Sequence, residues 1–179
     1  MERHEMRRVL VLGSSGSGKS TFTGRLARAL NVEAIHLDSH YWQPNWTATP
    51  PAEWQARVAE LLERDAWVMD GNYPDLLKQR LAYADTVIFL DYPRLTCLWR
   101  CIRRYFRHRG RNRPELAPGC HEKIDWDFLK WIWFYPRDIK TRVWATLERY
   151  AGEVHVVRLR RDLDVARFLK GLDGRAGIL

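Results

Sequence analysis

A glycine-rich run near the start of the chain has the residue types and the spacing that bind phosphate groups. It reads Gly13-Ser14-Ser15-Gly16-Ser17-Gly18-Lys19-Ser20, and Thr21 continues it. Glycines let the backbone curl so that its N–H groups converge on phosphate oxygens. Lys19 adds a positive charge for the β- and γ-phosphates, and the Ser20 hydroxyl suits Mg²⁺. The run, here called the phosphate loop, therefore predicts a site for ATP and Mg²⁺.

The rest of the sequence separates the classes of phosphate-loop protein. None of the four asparagines (Asn31, Asn45, Asn72 and Asn112) supplies the Asn-Lys-x-Asp motif with which a GTPase reads guanine. A large ATPase motor needs more chain than the 179 residues present. A small single-domain kinase fits this length, and phosphoryl transfer requires charge neutralisation and positioning more than covalent chemistry.

An aspartate followed by aromatic residues indicates where a second substrate would bind. Asp38 comes at the end of a predicted strand, and its carboxylate is suited to orient an acceptor hydroxyl and accept its proton. Tyr41, Trp42 and Trp46 are suited to stack against a planar or sugar-like acceptor. The alternative is that Asp38 caps a turn and that the aromatic rings close the core.

Two further predicted strands also end in an aspartate. Asp70 is the candidate for Mg²⁺ binding through water, and the alternative is a turn formed by Asp70 and Gly71. Asp91 precedes Tyr92 and Pro93, and for it we expect a structural role. Since the carboxyl ends of parallel strands meet at one edge of a sheet, the aspartates are expected near the phosphate loop.

A basic stretch is the most unusual feature of the composition. Residues 100–113 contain seven arginines and no acidic residue. The stretch runs from a helix predicted to start at Pro93 into a segment rich in glycine and proline, which is typical of a lid. Arginines there would neutralise a transferring phosphate and exclude water, and a solvated helix face is the alternative. The apolar residues of this helix are expected to face inward, with the arginines mostly on its other sides: Leu95, Leu98, Trp99, Ile102 and Phe106.

The overall composition excludes several classes of protein. Lys and Arg total 30 against 22 acidic residues, and the net charge of +8 suits nucleic acid, anionic lipid or a polyphosphate substrate. The longest apolar runs are too short to span a bilayer, and the basic residues 1–8 followed by a short strand-like run are not expected to be a secretory signal. Cys97, Cys101 and Cys120 are too few for a disulfide framework, which fits a cytoplasmic protein. We expect Cys97 and Cys101 to pack as small apolar residues, with a zinc-clamped lid as the alternative.

Apolar runs alternate with helical patterns, which predicts a doubly wound α/β fold. The predicted strands cover residues 8–12, 34–37, 67–69, 86–90 and 154–159. Strands separated by helices pair in parallel with right-handed crossovers. Two helices, residues 126–135 and 137–150, are predicted on either side of Pro136. We expect one domain over residues 1–179, with a core of residues 7–95 and 137–172 and a lid region of approximately residues 100–124.

Several segments together resemble adenylate kinase and related nucleoside monophosphate kinases. The chain is more closely similar to bacterial adenylate-kinase-related proteins known as DNA topology modulation proteins. The segments that carry this resemblance are His36–Asp38, Trp42–Trp46, Asp70–Tyr73, Gly110–Pro114, Gly119-Cys120 and Trp131–Trp133. The resemblance implies a P-loop NTPase fold, with a five-stranded parallel sheet in the order 2-3-1-4-5 sandwiched by helices and ATP on the phosphate loop.

The resemblance also implies roles for arginines. Arg100 and Arg104 fall near the adenylate kinase arginines that touch the adenine and the phosphates, and Arg137 or Arg142 would take the remaining phosphate-binding role. One segment departs from the family. Adenylate kinase has Asp-Gly-Phe-Pro-Arg, whose arginine binds the AMP phosphate, whereas residues 70–75 read Asp-Gly-Asn-Tyr-Pro-Asp. Two classes of acceptor are therefore candidates, a compound with a free hydroxyl group and a nucleoside monophosphate.

The sequence thus predicts ATP-dependent phosphoryl transfer to a small-molecule acceptor. The alternative is a nucleic-acid-binding or topology-modulating protein with ATP as a regulatory ligand, which the net charge and the interleaved aromatic residues favour. The predicted catalytic residues are Lys19, Asp38 and Arg104. The predicted ATP-binding residues are Gly13, Ser14, Ser15, Gly16, Ser17, Gly18, Lys19, Ser20, Thr21, Arg100, Arg104 and Arg137, and the predicted Mg²⁺ ligands are Ser20 and Asp70.

Overall fold

A central sheet of five parallel strands organises the chain. A computed structural model describes residues 5–108, 117–120 and 123–176, with side chains as far as residue 172. The sheet strands are β1 (Arg8–Gly13), β2 (Glu33–His36), β3 (Trp67–Asp70), β4 (Thr86–Leu90) and β5 (His155–Leu159). Their spatial order is β2-β3-β1-β4-β5. This confirms the predicted α/β fold and the predicted strand order 2-3-1-4-5. The strand numbers count only the five strands of this sheet and omit a separate two-stranded hairpin.

Strand β1 lies in the middle of the sheet and is buried on both faces. Successive side chains of a strand point to opposite faces, so Leu10 and Leu12 join one core cluster with Phe89, while Val9 and Val11 join the cluster on the other side. Helices cover both faces, which is why a continuous apolar run is stable in β1. Val11 pairs with Asp70 of β3, which brings that carboxylate beside the end of β1.

Eight helices surround the sheet in the described part of the chain. Short 3₁₀ turns cover Pro44–Trp46 and Pro74–Leu76, and Trp42–Gln43 pairs with Thr47–Ala48 as an antiparallel hairpin. The helices are α1 (Lys19–Leu30), α2 (Leu37–Tyr41), α3 (Pro51–Leu62), α4 (Leu77–Leu81), α5 (Arg94–His108), α6 (Trp126–Asp138), α7 (Lys140–Arg149) and α8 (Asp162–Ala176). None of them is both long and apolar enough to cross a bilayer.

Two predicted boundaries differ from the structure. Strand β2 ends at His36, so Asp38 lies in the first turn of α2 rather than at the end of a strand. Helix α6 continues through Pro136, where the sequence predicted a break. A proline in the last turn removes one backbone donor, and the turn still closes because Ile139 N donates to Tyr135 O at 3.1 Å.

The predicted inward face of α5 is wrong for four of its five residues, and Leu98 alone packs inward, against the cluster of Cys97, Cys101 and Ile132. Leu95, Trp99, Ile102 and Phe106 keep 41–68% of their surface exposed, and the buried residues of this helix are Cys97 and Cys101. The phosphate loop explains this choice: a Cβ built on Gly16 would lie 2.2 Å from Cys97 O and 2.9 Å from Cys101 Sγ. Only small side chains fit at such a close approach. The two cysteines therefore pack as small apolar residues, as the sequence predicts.

Candidate active site

The phosphate loop joins β1 to α1 and has the backbone of an anion site. Gly16 and Gly18 have φ angles of +80° and +92°, a region that favours glycine, and Ser17 N donates to Ser14 O at 3.1 Å. Gly18 caps α1 without a side-chain hydrogen bond, and the first turn contains no acidic residue. The free N–H groups and the positive end of the helix dipole are thus directed at the loop, which favours a bound anion.

Lys19 is held inside the loop, close to two carboxylates. Its Nζ donates to Ser14 O at 2.9 Å. Burial lowers the pKa of Lys19, and the negative charges of Asp70 and Asp38 act against that shift. The structure therefore brings the predicted Lys19, Asp38 and Asp70 together, with the ammonium group between the phosphate loop and the carboxylates.

Asp70 ends β3 as a buried carboxylate, and both Asp70 and Ser20 line the cavity. Asp70 Oδ2 lies 2.8 Å from His36 Nδ1, a partner across the β2–β3 register that sequence reasoning did not assign to the site. No group of three or more His, Cys, Asp or Glu that would hold a metal occurs in the described residues. Mg²⁺ usually keeps several waters and binds one or two protein groups together with substrate phosphates, and the Ser20 hydroxyl and the Asp70 carboxylate are oxygen ligands of the kind it prefers.

A tyrosine holds the carboxylate of Asp38. Tyr73 Oη donates to Asp38 Oδ1 at 2.8 Å. Burial, together with the charge and hydrogen bond of Asp38, raises the pKa of Tyr73 well above its ordinary value, so its phenol remains a donor at neutral pH. Tyr41 packs against Tyr73 at 5.0 Å between ring centroids and does not line the cavity. Of the predicted acceptor-side aromatic residues, Trp42 and Trp46 do line it.

The segment that carries these tryptophans packs against residues 117–120, which belong to the predicted lid region. The rings of Trp42 and Trp46 meet edge to face at 5.4 Å and pack against Ala117 and Cys120. Cys120 Sγ donates to Gln43 O at 3.2 Å. Trp46 has a φ of +60°, an uncommon conformation for a bulky residue, and these contacts hold it there.

Four arginines of α5 line the cavity. Arg100 donates twice to Asp162, at 2.8 and 2.9 Å, and its guanidinium lies 4.5 Å from the ring centroid of Tyr92. Arg103, Arg104 and Arg107 also line the cavity. Arg109, Arg111 and Arg113 of the predicted lid, with its Gly110–Pro114 segment, lie outside the described residues.

The other predicted phosphate-binding arginines are not brought to the site. Arg137 is exposed and donates to its neighbour Asp138 at 2.6 Å. Neither Arg137 nor Arg142 lines the cavity. Asp91 is also outside it, where it pairs with Lys140 at 2.6 Å and with Arg158. These contacts fit the structural role predicted for Asp91.

A single cavity of about 960 Å³ contains both the phosphate-loop side of the site and the side formed by Asp38 and the tryptophans. Ligand pockets commonly measure roughly 300–1,000 Å³, so this one has room for a nucleotide and a second substrate together. Residues of the phosphate loop, the carboxylates and the arginines share its wall: Ser15, Gly16, Gly18, Lys19, Ser20, Thr21, Asp38, Asp70, Arg100 and Arg104.

Comparison with known proteins places the fold. No family model matches the chain. Over 134 residues it is 28% identical to the uncharacterized protein YqaC of Bacillus subtilis (strain 168), a match that covers 72% of each chain. A shikimate kinase from Acinetobacter baumannii, solved in complex with shikimate, superposes with a TM-score of 0.52 at 17% identity, covering 94% of this chain and 92% of that one. A gluconokinase from Sinorhizobium meliloti 1021 gives a TM-score of 0.48 at 17% identity, covering 97% and 99%.

The sheet order, the phosphate loop and the shikimate kinase superposition together define the class of fold. The chain has the α/β fold of the P-loop kinases, with a five-stranded parallel sheet flanked by helices.

Proposed function

We propose that the protein transfers the γ-phosphoryl group of ATP to the hydroxyl group of a small-molecule acceptor. The observation that carries the proposal is that one cavity is lined both by phosphate-loop residues, including Lys19 and Ser20, and by Asp38. A phosphate-binding loop alone would serve any nucleotide-binding protein. A carboxylate across the same cavity, held by a tyrosine, is what a hydroxyl acceptor requires.

The residues on the donor side bind and orient ATP. The loop N–H groups and Lys19 bind the β- and γ-phosphates, while Ser20 and, through water, Asp70 would hold Mg²⁺. Magnesium, when bound, supplies charge neutralisation on the phosphate oxygens. Arg104 faces the transferring group, and Arg100, fixed by Asp162, lies beside the loop.

The transfer itself is an in-line displacement. The acceptor oxygen forms a bond to the γ-phosphorus as the bond from that phosphorus to the β–γ bridging oxygen breaks, and ADP leaves with the bonding electrons. Asp38 accepts the proton that the acceptor hydroxyl loses. Tyr73 keeps its hydroxyl proton and holds the carboxylate in position.

The acceptor end favours a hydroxyl group over a phosphate. Lys78 and Arg80, the basic residues that follow the loop after β3, do not line the cavity, and the Arg80 guanidinium is buried against backbone carbonyls. A phosphorylated acceptor bound at Asp38 would meet that carboxylate, although Arg103, Arg107 and Lys123 also line the cavity. Repulsion between like charges would weaken its binding.

ADP formation tests the proposal. Nucleosides, nucleoside monophosphates and small hydroxy acids are screened as acceptors with MgATP, and Lys19→Ala is expected to abolish turnover by the active acceptor. Lys78→Ala is the matched control, because Lys78 does not line the cavity. Circular dichroism should show that both variants are folded. Unchanged turnover by Lys19→Ala would refute the assignment.

The alternative, a nucleic-acid-binding or topology-modulating protein with regulatory ATP, has one favourable observation. Exposed rings on α6 carry stacked arginines, with Arg94 lying 4.0 Å from the ring centroid of Trp133 and Arg137 lying 4.8 Å from that of Phe134. Such pairs are a chemistry that binds single strands. Oligonucleotide affinity that falls steeply with salt and ignores MgATP would favour this function. Absence of binding at physiological salt would exclude it.

A further inference from the structure

Arg80 is a buried arginine whose charge has no acidic partner among the described residues. It lies in α4 with 1% of its surface exposed. Nη1 donates to Gly71 O at 3.1 Å and Nη2 donates to Tyr73 O at 2.8 Å, while Nε has no hydrogen-bond partner in the described part of the chain. Burial lowers the pKa of Arg80 to about 10. Burying a guanidinium in this way is unfavourable by itself, so its two contacts need an explanation.

The two carbonyls belong to the segment that carries Tyr73, here called the Gly71–Tyr73 loop. Gly71 has a φ of +144°, and a Cβ built there would lie 2.8 Å from the Cβ of Leu37, so the loop is pressed against the start of α2. The ring of Tyr73 packs at 4.9 Å from that of Trp54, and its hydroxyl reaches Asp38 in α2. Arg80 therefore touches both ends of the loop whose side chain holds the acceptor-side carboxylate.

We propose that Arg80 is a positioning residue: it fixes the Gly71–Tyr73 loop so that the Tyr73 hydroxyl holds Asp38 toward the acceptor. The inference rests on the proposed function, in which Asp38 orients the acceptor. Two carbonyls from residues two apart need two donors in a fixed planar arrangement, which a guanidinium supplies. A lysine supplies a single compact ammonium group, and an apolar side chain supplies no donor.

The test uses water as the phosphoryl acceptor, so it requires no knowledge of the natural one. Steady-state hydrolysis of MgATP is measured for Arg80→Met, Arg80→Lys, Asp38→Asn and the double variant Arg80→Met/Asp38→Asn. Arg64→Met is the matched control, because Arg64 forms an exposed ion pair with Glu33 away from the cavity. ATP affinity is measured separately by titration calorimetry.

The expected pattern is non-additive. Asp38→Asn lowers the hydrolysis rate by at least roughly tenfold, because oriented proton acceptance is lost. Arg80→Met lowers the rate to a similar extent with ATP affinity unchanged, and Arg80→Lys recovers part of the loss. In the Asp38→Asn background, Arg80→Met changes the rate by less than about twofold, since it acts through Asp38.

Three results would overturn the inference, and each can be distinguished from a result that refutes the proposed function. Equal losses from Arg80→Met with and without Asp38 indicate general damage to the fold, and an unchanged rate indicates no positioning role. If Arg80→Met does not fold, Tyr73→Phe replaces it in the same measurements. A further loss of hydrolysis rate from Tyr73→Phe in the Asp38→Asn background would then refute the proposed link from Arg80 through Tyr73 to Asp38. Hydrolysis that survives Lys19→Ala instead refutes the kinase assignment itself.

Discussion

Replacing Gly16 by alanine is the sharpest test of the packing between the phosphate loop and α5. Gly16 has a φ of +80°, and an added Cβ would lie 2.2 Å from Cys97 O, 2.9 Å from Cys97 C and 2.9 Å from Cys101 Sγ. The two nearest backbone atoms belong to a helix and have no rotamer to change. Either the loop or α5 must therefore move. The change would alter the curvature of the phosphate loop or its packing against α5.

The size of the effect follows from two separate costs. A left-handed backbone disfavours a residue with a Cβ by roughly 1–2 kcal/mol, and overpacking a tight contact costs roughly 1–3 kcal/mol. The sum, about 2–5 kcal/mol, reduces either the free energy of unfolding or the free energy of ATP binding. Even the smaller value corresponds to about 30-fold in a dissociation constant.

Thermal unfolding and ATP titration together detect both forms of the loss. Gly24→Ala is the matched control, because Gly24 lies within α1 and nothing lies within 4 Å of an added Cβ. That change should stabilise the helix by about 1 kcal/mol and raise Tm by roughly 2–4 °C without altering ATP affinity. If Gly16→Ala keeps both the stability and the ATP affinity of the wild type, the close approach of α5 is wrong.

Three further predictions concern charges and exposed rings. Asp162→Asn should weaken ATP binding by roughly threefold in calorimetry, because Arg100 loses its bidentate partner at an exposed site. Hydrogen bonds from Lys140 and Arg158 hold the pKa of Asp91 below 3.8 although burial opposes them, so its contribution is present at neutral pH and is lost as pH falls through that pKa. Urea unfolding should therefore show Asp91→Asn about 2 kcal/mol less stable than the wild type at pH 7, with the gap shrinking at pH 3. Phe106→Ser should change the free energy of unfolding by less than about 0.5 kcal/mol, because the ring is exposed, whereas a core role would make the loss several times larger.

The features that sequence predicted well depend on local signals. The phosphate loop is a contiguous motif, and the strand order follows from alternating apolar runs and right-handed crossovers. Asp70 was assigned to the sheet edge because a strand end is readable from the chain alone. Such inferences need no knowledge of which distant residues touch.

The features that sequence missed depend on distant contacts. Tyr73 and Asp38 are 35 positions apart, and the hydrogen bond between them joins α2 to the loop after β3. The acceptor-side role of Tyr73 therefore could not be read from spacing. Nothing in the sequence marks Arg80 as a buried residue, since a basic side chain is seldom buried without an acidic partner. Its two carbonyl partners become visible only when the loop is folded back on α4.

Helix α5 shows why an amphipathic pattern alone gave the wrong face. A helix packs by the face whose size fits its neighbour, and here the backbone of Gly16 approaches Cys97 and Cys101 so closely that not even a Cβ would fit on the glycine. Once those cysteines are fixed, the helical period determines that Arg100 and Arg104 point into the cavity. Rotating α5 to bring the arginines closer to a phosphate would change the cysteine contact beneath the loop. Any shift of α5 that changes the position of the arginines therefore also changes the packing of the phosphate loop.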